Sequence, residues 1–452
     1  MNVERALVSR VHMQLREAGY PLVLAELRLP LVNADRRVDV VAFAADDNGV
    51  LRPSVAVEVK RHRRADREQS ALDQLAMARE VLATRRHYLA TEDGWWEADA
   101  GLRGFSRADG PVAPERMGGE LRDPDTTALV LRQWLWRVSD QFRGTSADPA
   151  LAAVSGLAPL LEDGVPTVDG TPIPVDGGVL WHVARDVIRH QLVLGRHLET
   201  FLSPPSLAAP LARLLGEELP ASVADPFAGL GSFLWAAADR AVAAGRSVEL
   251  TGIELNREVV DLASSIGRLC PVPLTFRADN SFTATEPHVE AVISQPPLSA
   301  RLEEPFQLSS GDVTRDGELA AIDVCLNRLL PGGRAVLHLS RGWTFRGGEA
   351  ARYRSYLAQR WRVGALIGLP GGAYSGTAIP SVILVADRAA PSETFVGQLE
   401  ANWASELAPG GDVLHDCLTH LEGAALDGSP ADPQSGKSEA PKSPGAGGAG
   451  AR

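Results

Sequence analysis

From Ser222 onward the chain repeats one pattern: a short apolar run, a turn, then a stretch with helical spacing. The runs stand in SVADPFAGLGSF, SVELTGIELN, PLTFRADN, EAVISQPP, GGRAVLHLS, VGALIGLP and SVILVAD. Strands that alternate with helices bury both faces of a sheet when the sheet is mostly parallel and helices cover each side. This is the strongest constraint in the sequence. It also says where to look for chemistry, because such sheets bind ligands beyond the carboxyl ends of their strands.

The first hundred residues follow a different order. Ala6, Leu7, Val11 and Leu15 have helical spacing, followed by strand-like LVLAELRL, RVDVVAFA and SVAVEVK, a helix over Glu68 to Ala83, and a short strand HYLAT. Residues 100–124 are rich in Gly, Pro and charge and read as a linker, and 125–200 read as mainly helical. The last stretch, from Asp427, is too poor in apolar residues to order itself.

A hydrophobic fraction of 45% is that of an ordinary globular protein. No run of eighteen apolar residues and no apolar leader occurs, so a cytoplasmic location without membrane anchorage is expected. Cys270, Cys325 and Cys417 lack CxxC spacing, which argues against a disulfide framework or a structural zinc site. The net charge of −12 gives no global footprint of a nucleic-acid binder, although Lys60-Arg61-His62-Arg63-Arg64 is a local basic patch. Taken alone, that patch reads as a solvated start to a helix.

Only three of the 45 basic residues (Lys plus Arg) are lysines, and two of those, Lys437 and Lys442, lie in the tail. The third, Lys60, ends the strand Val57-Glu58-Val59-Lys60. Side chains alternate along a strand, so Glu58 and Lys60 share a face, and a hairpin with Val38-Asp39-Val40 brings Asp39 to Glu58. Two carboxylates form a hard-oxygen site suited to Mg²⁺, and a compact ammonium whose pKa responds to burial is not replaceable by guanidinium.

Asp39, Glu58-Val59-Lys60, the leading helix and the following helix with Gln74 together resemble the PD-(D/E)xK nucleases, in particular the N-terminal nuclease domain of type I restriction subunits. The resemblance implies Mg²⁺-dependent phosphodiester cleavage, with Asp39 and Glu58 as metal ligands and Lys60 beside the attacking water. It also implies an extra acidic residue, for which Glu4 and Glu26 are both open. The proline that often precedes the first aspartate is absent, since Arg37-Val38 stands there.

In the second half, Asp225-Pro226-Phe227-Ala228-Gly229-Leu230-Gly231 follows a strand and precedes a helix, a place where glycines let backbone approach an anionic ligand. Glu254 ends the next strand, suited to ribose hydroxyls, and Asp279 ends the third, within reach of an adenine amine. The fourth ends in Gln295-Pro296-Pro297-Leu298. Together with Gly195 to Pro204, Pro331 to Val336, Phe345 to Gly348, Ile367 to Pro370 and Gly376 to Ser381, these blocks resemble the N6-adenine DNA methylases of type I restriction-modification systems over residues 195–388.

That resemblance implies S-adenosylmethionine held by Asp225, Pro226, Gly229, Gly231, Glu254 and Asp279, with catalysis at Gln295, Pro296 and Pro297. The family has Asn-Pro-Pro and an aromatic, so this chain lengthens the amide by a methylene and loses the stacking ring. Cofactor binding is therefore more secure than methyl transfer. The glycine loop differs too, since the family usually has Ala-Cys-Gly-Ser-Gly where this chain has Phe227 to Gly231.

The expected fold class is thus α/β throughout. A restriction-endonuclease-like domain takes 1–105 and a linker with a helical connector takes 106–190. A Rossmann-like class I methyltransferase domain with a mostly parallel sheet takes 191–395, followed by a short extension over 396–426 and a disordered tail over 427–452. The expected partners are double-stranded DNA and a specificity subunit or another phage-defence protein, since no target-recognition domain follows the methylase blocks. Two other readings stay open: a non-catalytic DNA- or cofactor-binding regulator, and an active adenine methylase with a vestigial nuclease fold. Trp95-Trp96 and Trp134-Leu135-Trp136 read as packing, and His182, His190 and His197 as capping or interface residues.

Overall fold

The computed structural model describes residues 3–29, 36–141, 166–168, 171–194, 202–298, 300–373 and 378–423. His197, the block from Gly195 to Phe201, Gly376-Thr377 and the 427–452 tail lie outside the described residues. The chain groups into two compact units. Unit 1 takes Met1–Thr200 with Asp261–Pro271, and unit 2 takes Phe201–Val260 with Val272–Arg452.

Unit 1 is built on a six-stranded sheet in sequence order: β1 (Leu22–Arg28), β2 (Arg37–Ala45), β3 (Leu51–Val59), β4 (Arg86–Thr91), β5 (Gly94–Ala98) and β6 (Phe105–Ala108). All neighbours are antiparallel except β3 and β4. Parallel neighbours need a crossover, and the helix Ala65–Leu82 supplies it. The helix Val3–Glu17 lays Leu7, Val11 and Leu15 onto one sheet face, where they bury Val40, Val57, Val59 and Tyr88. Trp95 belongs to this core, edge-on to Tyr88 with Nε1 donating to Gln14, so it packs as expected. Trp134 and Leu135 are buried as well.

Residues 106–124 are tied down rather than loose. β6 extends the sheet to Ala108, Tyr20 donates to the Val112 carbonyl, and Glu120 and Leu121 form bridges to Val50 and Val175. Gly, Pro and charge signalled irregular backbone there, which is a different property from detachment. The helices Pro124–Gln141 and Gly177–Leu194 contact one another, and a two-residue hairpin of β7 (Thr167–Val168) and β8 (Thr171–Pro172) precedes the second.

Unit 2 holds an eight-stranded sheet. Its strands are β9 (Ser222–Asp225), β10 (Glu249–Glu254), β11 (Leu274–Ala278), β12 (Val289–Ser294), β15 (Leu329–Ser340), β16 (Arg362–Leu369), β17 (Ser381–Asp387) and β18 (Phe395–Gln398). The spatial order is β11-β10-β9-β12-β15-β17-β16-β18. Every pairing is parallel except the two made by β17. The order reverses between β9 and β12, which makes their carboxyl ends the switch point where such sheets take ligands. A hairpin of β13 (Arg301–Gln307) and β14 (Val313–Asp316), which the sequence reading did not foresee, follows β12.

The core on one side of this sheet joins Val292, Leu337 and Leu384 to Leu319, Ile322 and Leu326 of the helix Gly317–Asn327 and to Tyr353 and Leu357 of the helix Glu349–Arg360. Leu337 is fully buried. Truncating such a leucine to alanine costs about 2–5 kcal/mol.

Candidate functional site

Unit 1 brings Asp39, Glu58 and Lys60 together. The β2–β3 ladder runs to Val40 opposite Val57. One step further the Val59 N–H donates to Asp39 Oδ2 at 2.7 Å, so a side chain replaces the backbone acceptor and fixes the Asp39 carboxylate against β3. Lys60, just past the strand end, donates to Glu58 Oε2 at 2.9 Å and to Asp39 Oδ2 at 3.4 Å. Gln74 of the crossover helix, with its amide nitrogen toward Glu58, donates to Oε1 at 2.9 Å and also to Oε2.

Glu58 is wholly buried. Burial and then the neighbouring Asp39 charge push its carboxyl up to about 8, against the pull of the Lys60 ammonium. Burial would lower Lys60, but Glu58 and Asp39 outweigh it and hold the ammonium above its ordinary value. Lys60 stays charged, and its side chain keeps 21% of its surface exposed.

Among the described residues no group of three or more His, Cys, Asp and Glu side chains could hold a metal ion. Two carboxylates still suit Mg²⁺, which is often bound through one or two carboxylates with water and substrate phosphate completing its shell. Glu26 is half-exposed, pairs with Arg37 at 3.8 Å and has a left-handed backbone at φ 53°. Glu4 is exposed at the start of its helix.

The basic patch makes local pairs: Arg61 with Glu92, and Arg63 with Glu68. Arg63 also lies over the Trp96 ring, 4.2 Å from its centroid.

Unit 2 gathers its site at the switch point. Asp225 ends β9 with only 1% of its surface exposed. Its Oδ1 accepts from Ser294 Oγ at 2.5 Å and from the Phe227 N–H at 3.0 Å, while Oδ2 has no partner among the described residues. Burial pushes this carboxyl up to about 7 despite those two bonds. A buried carboxylate oxygen without a donor is complementary to a cationic ligand, and S-adenosylmethionine carries an ammonium and a sulfonium. The residues therefore fit that cofactor.

Glu254 accepts from the Gly229 N–H at 3.1 Å and the Asn256 N–H at 2.8 Å, which fixes it against the glycine loop with lone pairs left for hydroxyl donors. Asp279 is held by the Asn280 N–H and by Arg277, both at 2.8 Å, and the same two groups hold its carboxyl below the usual range. Pro226 accepts from Ser281 through its carbonyl.

The glycines serve a purpose that the sequence reading missed. Gly231 has φ +96°, and a Cβ there would fall 2.5 Å from Phe276; one on Gly252 would fall 2.6 Å from the same ring. Phe276 sits opposite Gly252 in the β10–β11 register and leans across it onto the loop. Bare backbone next to an aromatic is the signal that could have found it.

Gln295 is half-buried with its oxygen 2.9 Å from His338 Nδ1 and 3.5 Å from Ser203 Oγ. Pro296 is buried, and Pro297 and Leu298 are half-buried. Neither Ser203 nor His338 was singled out from the sequence. A histidine inside the apolar run AVLHLS is a polar group that burial forces to find a partner.

Residues 193–402 match the family model described as N-6 DNA Methylase. No curated protein matches the sequence. Among solved structures, a candidate class I S-adenosylmethionine-dependent methyltransferase from Listeria monocytogenes is 14% identical with a TM-score of 0.55, over 66% of this chain and 99% of that one. At that identity the likeness is one of fold, and the fold shared is that of a class I methyltransferase.

The methyltransferase subunit of a type I restriction-modification system from Streptococcus thermophilus is 19% identical with a TM-score of 0.44, over 60% of this chain. The type IIG restriction endonuclease BpuSI is 13% identical with a TM-score of 0.41, over 90% of this chain. The chain spans about three fifths of the length of each of these two proteins, 61% and 60%. Among the described residues no helix is long and apolar enough to cross a membrane.

Proposed function

We propose that this protein is a restriction-modification or phage-defence component that cleaves double-stranded DNA through a PD-(D/E)xK-type site in unit 1 and binds S-adenosylmethionine through the methylase region of unit 2. The observation that carries the nuclease half is the Lys60 ammonium, 2.9 Å from Glu58 and 3.4 Å from Asp39 at the ends of adjacent strands. Asp39 and Glu58 would hold Mg²⁺, which supplies charge neutralisation at the scissile phosphate. Lys60 would orient the attacking water and stabilise negative charge that develops on the phosphorane oxygens. Gln74 holds the Glu58 carboxylate in place while that work is done.

In unit 2, Asp225 would take the cationic end of the cofactor, Glu254 its ribose and Asp279 its adenine, over the backbone of Gly229 and Gly231. Gln295, Pro296 and Pro297 line the place of the target base. Sequence specificity would come from a partner subunit or another protein of the same system.

The test is to incubate the protein with plasmid DNA with and without Mg²⁺ and to score nicks, while cofactor binding is followed by calorimetry. Mg²⁺-dependent nicking together with cofactor binding is expected. Absence of both, even with neighbouring gene products added, would leave a non-catalytic regulator as the better reading.

A further inference from the structure

Three side chains at the carboxyl end of the unit 2 sheet carry a consequence for the methyl group of the cofactor. The point rests on the reading that unit 2 binds S-adenosylmethionine. Gln295 directly follows β12, and its carboxamide oxygen turns into the protein.

His338, its first partner at 2.9 Å, stands in β15 with no exposed surface. Burial pushes its imidazole down to about 4, so the ring is neutral near pH 7. A neutral ring that meets an amide oxygen through Nδ1 carries its proton there and donates. Ser203, the second partner at 3.5 Å, is itself anchored by its own N–H, which donates to Ser232 Oγ at 3.1 Å. The structure turns the oxygen end of the amide toward both groups, and in that orientation each meets it as a donor. Its nitrogen makes no hydrogen bond among the described residues.

The chemistry of amine methylation asks for the reverse. An exocyclic amine presents N–H donors, and its nitrogen becomes nucleophilic when acceptors take those protons and free the lone pair. An outward carboxamide NH₂ sets donor against donor. Leu298, two residues past Pro296, offers no aromatic face to hold an extruded base in compensation.

We infer that His338 and Ser203 are positioning residues that lock Gln295 with its donor outward, so that unit 2 holds S-adenosylmethionine without passing its methyl to an adenine amine. The outward NH₂ complements an acceptor edge, a carbonyl or ring nitrogen, in whatever base enters the site.

The experiment uses the full chain, plasmid DNA and S-adenosylmethionine labelled in the methyl group, with calorimetry on the same preparation. The expected result is cofactor binding with no label in DNA. Selective ¹⁵N-histidine spectra should place the His338 proton on Nδ1, the signals being assigned by their loss in His338→Phe, and Gln295→Leu should shift them. A proton on Nε2 would overturn the donor-outward lock. Label in DNA adenine from the wild-type protein would overturn the inference while leaving the proposed function standing. Absence of cofactor binding would sink the unit 2 half of that function and this inference with it, and the calorimeter reports that outcome separately.

Discussion

The strand-end sites of the two units treat their decisive polar group in opposite ways. In unit 1 the Lys60 ammonium lies on two carboxylates, and the side chain keeps a fifth of its surface exposed to solvent. In unit 2 the Gln295 amide keeps the right chemical class but hands its oxygen to a buried histidine. A motif can therefore retain its residue type and lose the orientation that its chemistry needs. Orientation is set by neighbours far away in sequence, such as His338, and not by the tetrapeptide itself.

The contrast breaks most easily at Lys60. Lys60→Arg should lower Mg²⁺-dependent nicking by about a thousandfold, because a planar guanidinium cannot occupy the compact position between Asp39 and Glu58. Circular dichroism and the thermal midpoint should stay near wild type, and undiminished nicking would remove the nuclease assignment. In unit 2, Asp225→Ala should weaken S-adenosylmethionine binding about a hundredfold in calorimetry, the cost of losing a buried charge opposite a cation. Equal affinity would mean that the unpartnered Asp225 oxygen does not face the cofactor.

A smaller effect is expected one layer back from the unit 1 site. Gln74→Leu removes the amide that holds Glu58 and should slow nicking about 10–100-fold with little change in stability, as outer-shell partners of ligating groups do. Measured at saturating Mg²⁺, a loss that disappears would place Gln74 in metal affinity rather than in alignment.

The smallest effect separates the sites by pH. Asp225 titrates near 7 in the free protein, and the cation prefers its ionised form, so cofactor affinity should rise about tenfold from pH 6 to pH 8. The sign for stability is opposite. A carboxyl raised above its unfolded value stabilises the fold below about pH 4, and that contribution is lost as pH rises through about 7. Cofactor-free Asp225→Asn should therefore melt above wild type at pH 8 and close to it at pH 4, and its cofactor affinity should be flat with pH.

Much of this was legible in the residues. The alternation after Ser222 gave a mostly parallel sheet, because period and turn signals are local. Asp39, Glu58 and Lys60 were legible as a set because strand parity is also local, and one lysine among arginines marked the spot. The β17 reversal, the β13–β14 hairpin and the pinned 106–124 segment were not legible, since each depends on which distant strand or loop supplies a hydrogen-bond partner. The glycine loop was read as a place for a ligand, while Phe276, which needs the same bare backbone, was overlooked.

By itself the sequence determined the layers of unit 2, the strand ends that carry its polar residues, and the residue types available at both sites. Only the tertiary structure decided that Asp225 keeps one buried oxygen without a donor among the described residues, that Gln74 closes on Glu58, and that His338 claims the oxygen of Gln295. The physical reason is the same in each case. A buried polar atom is satisfied or left open according to what packing brings to it, and packing joins residues as far apart as Gln74 and Glu58, 16 positions, or His338 and Gln295, 43 positions.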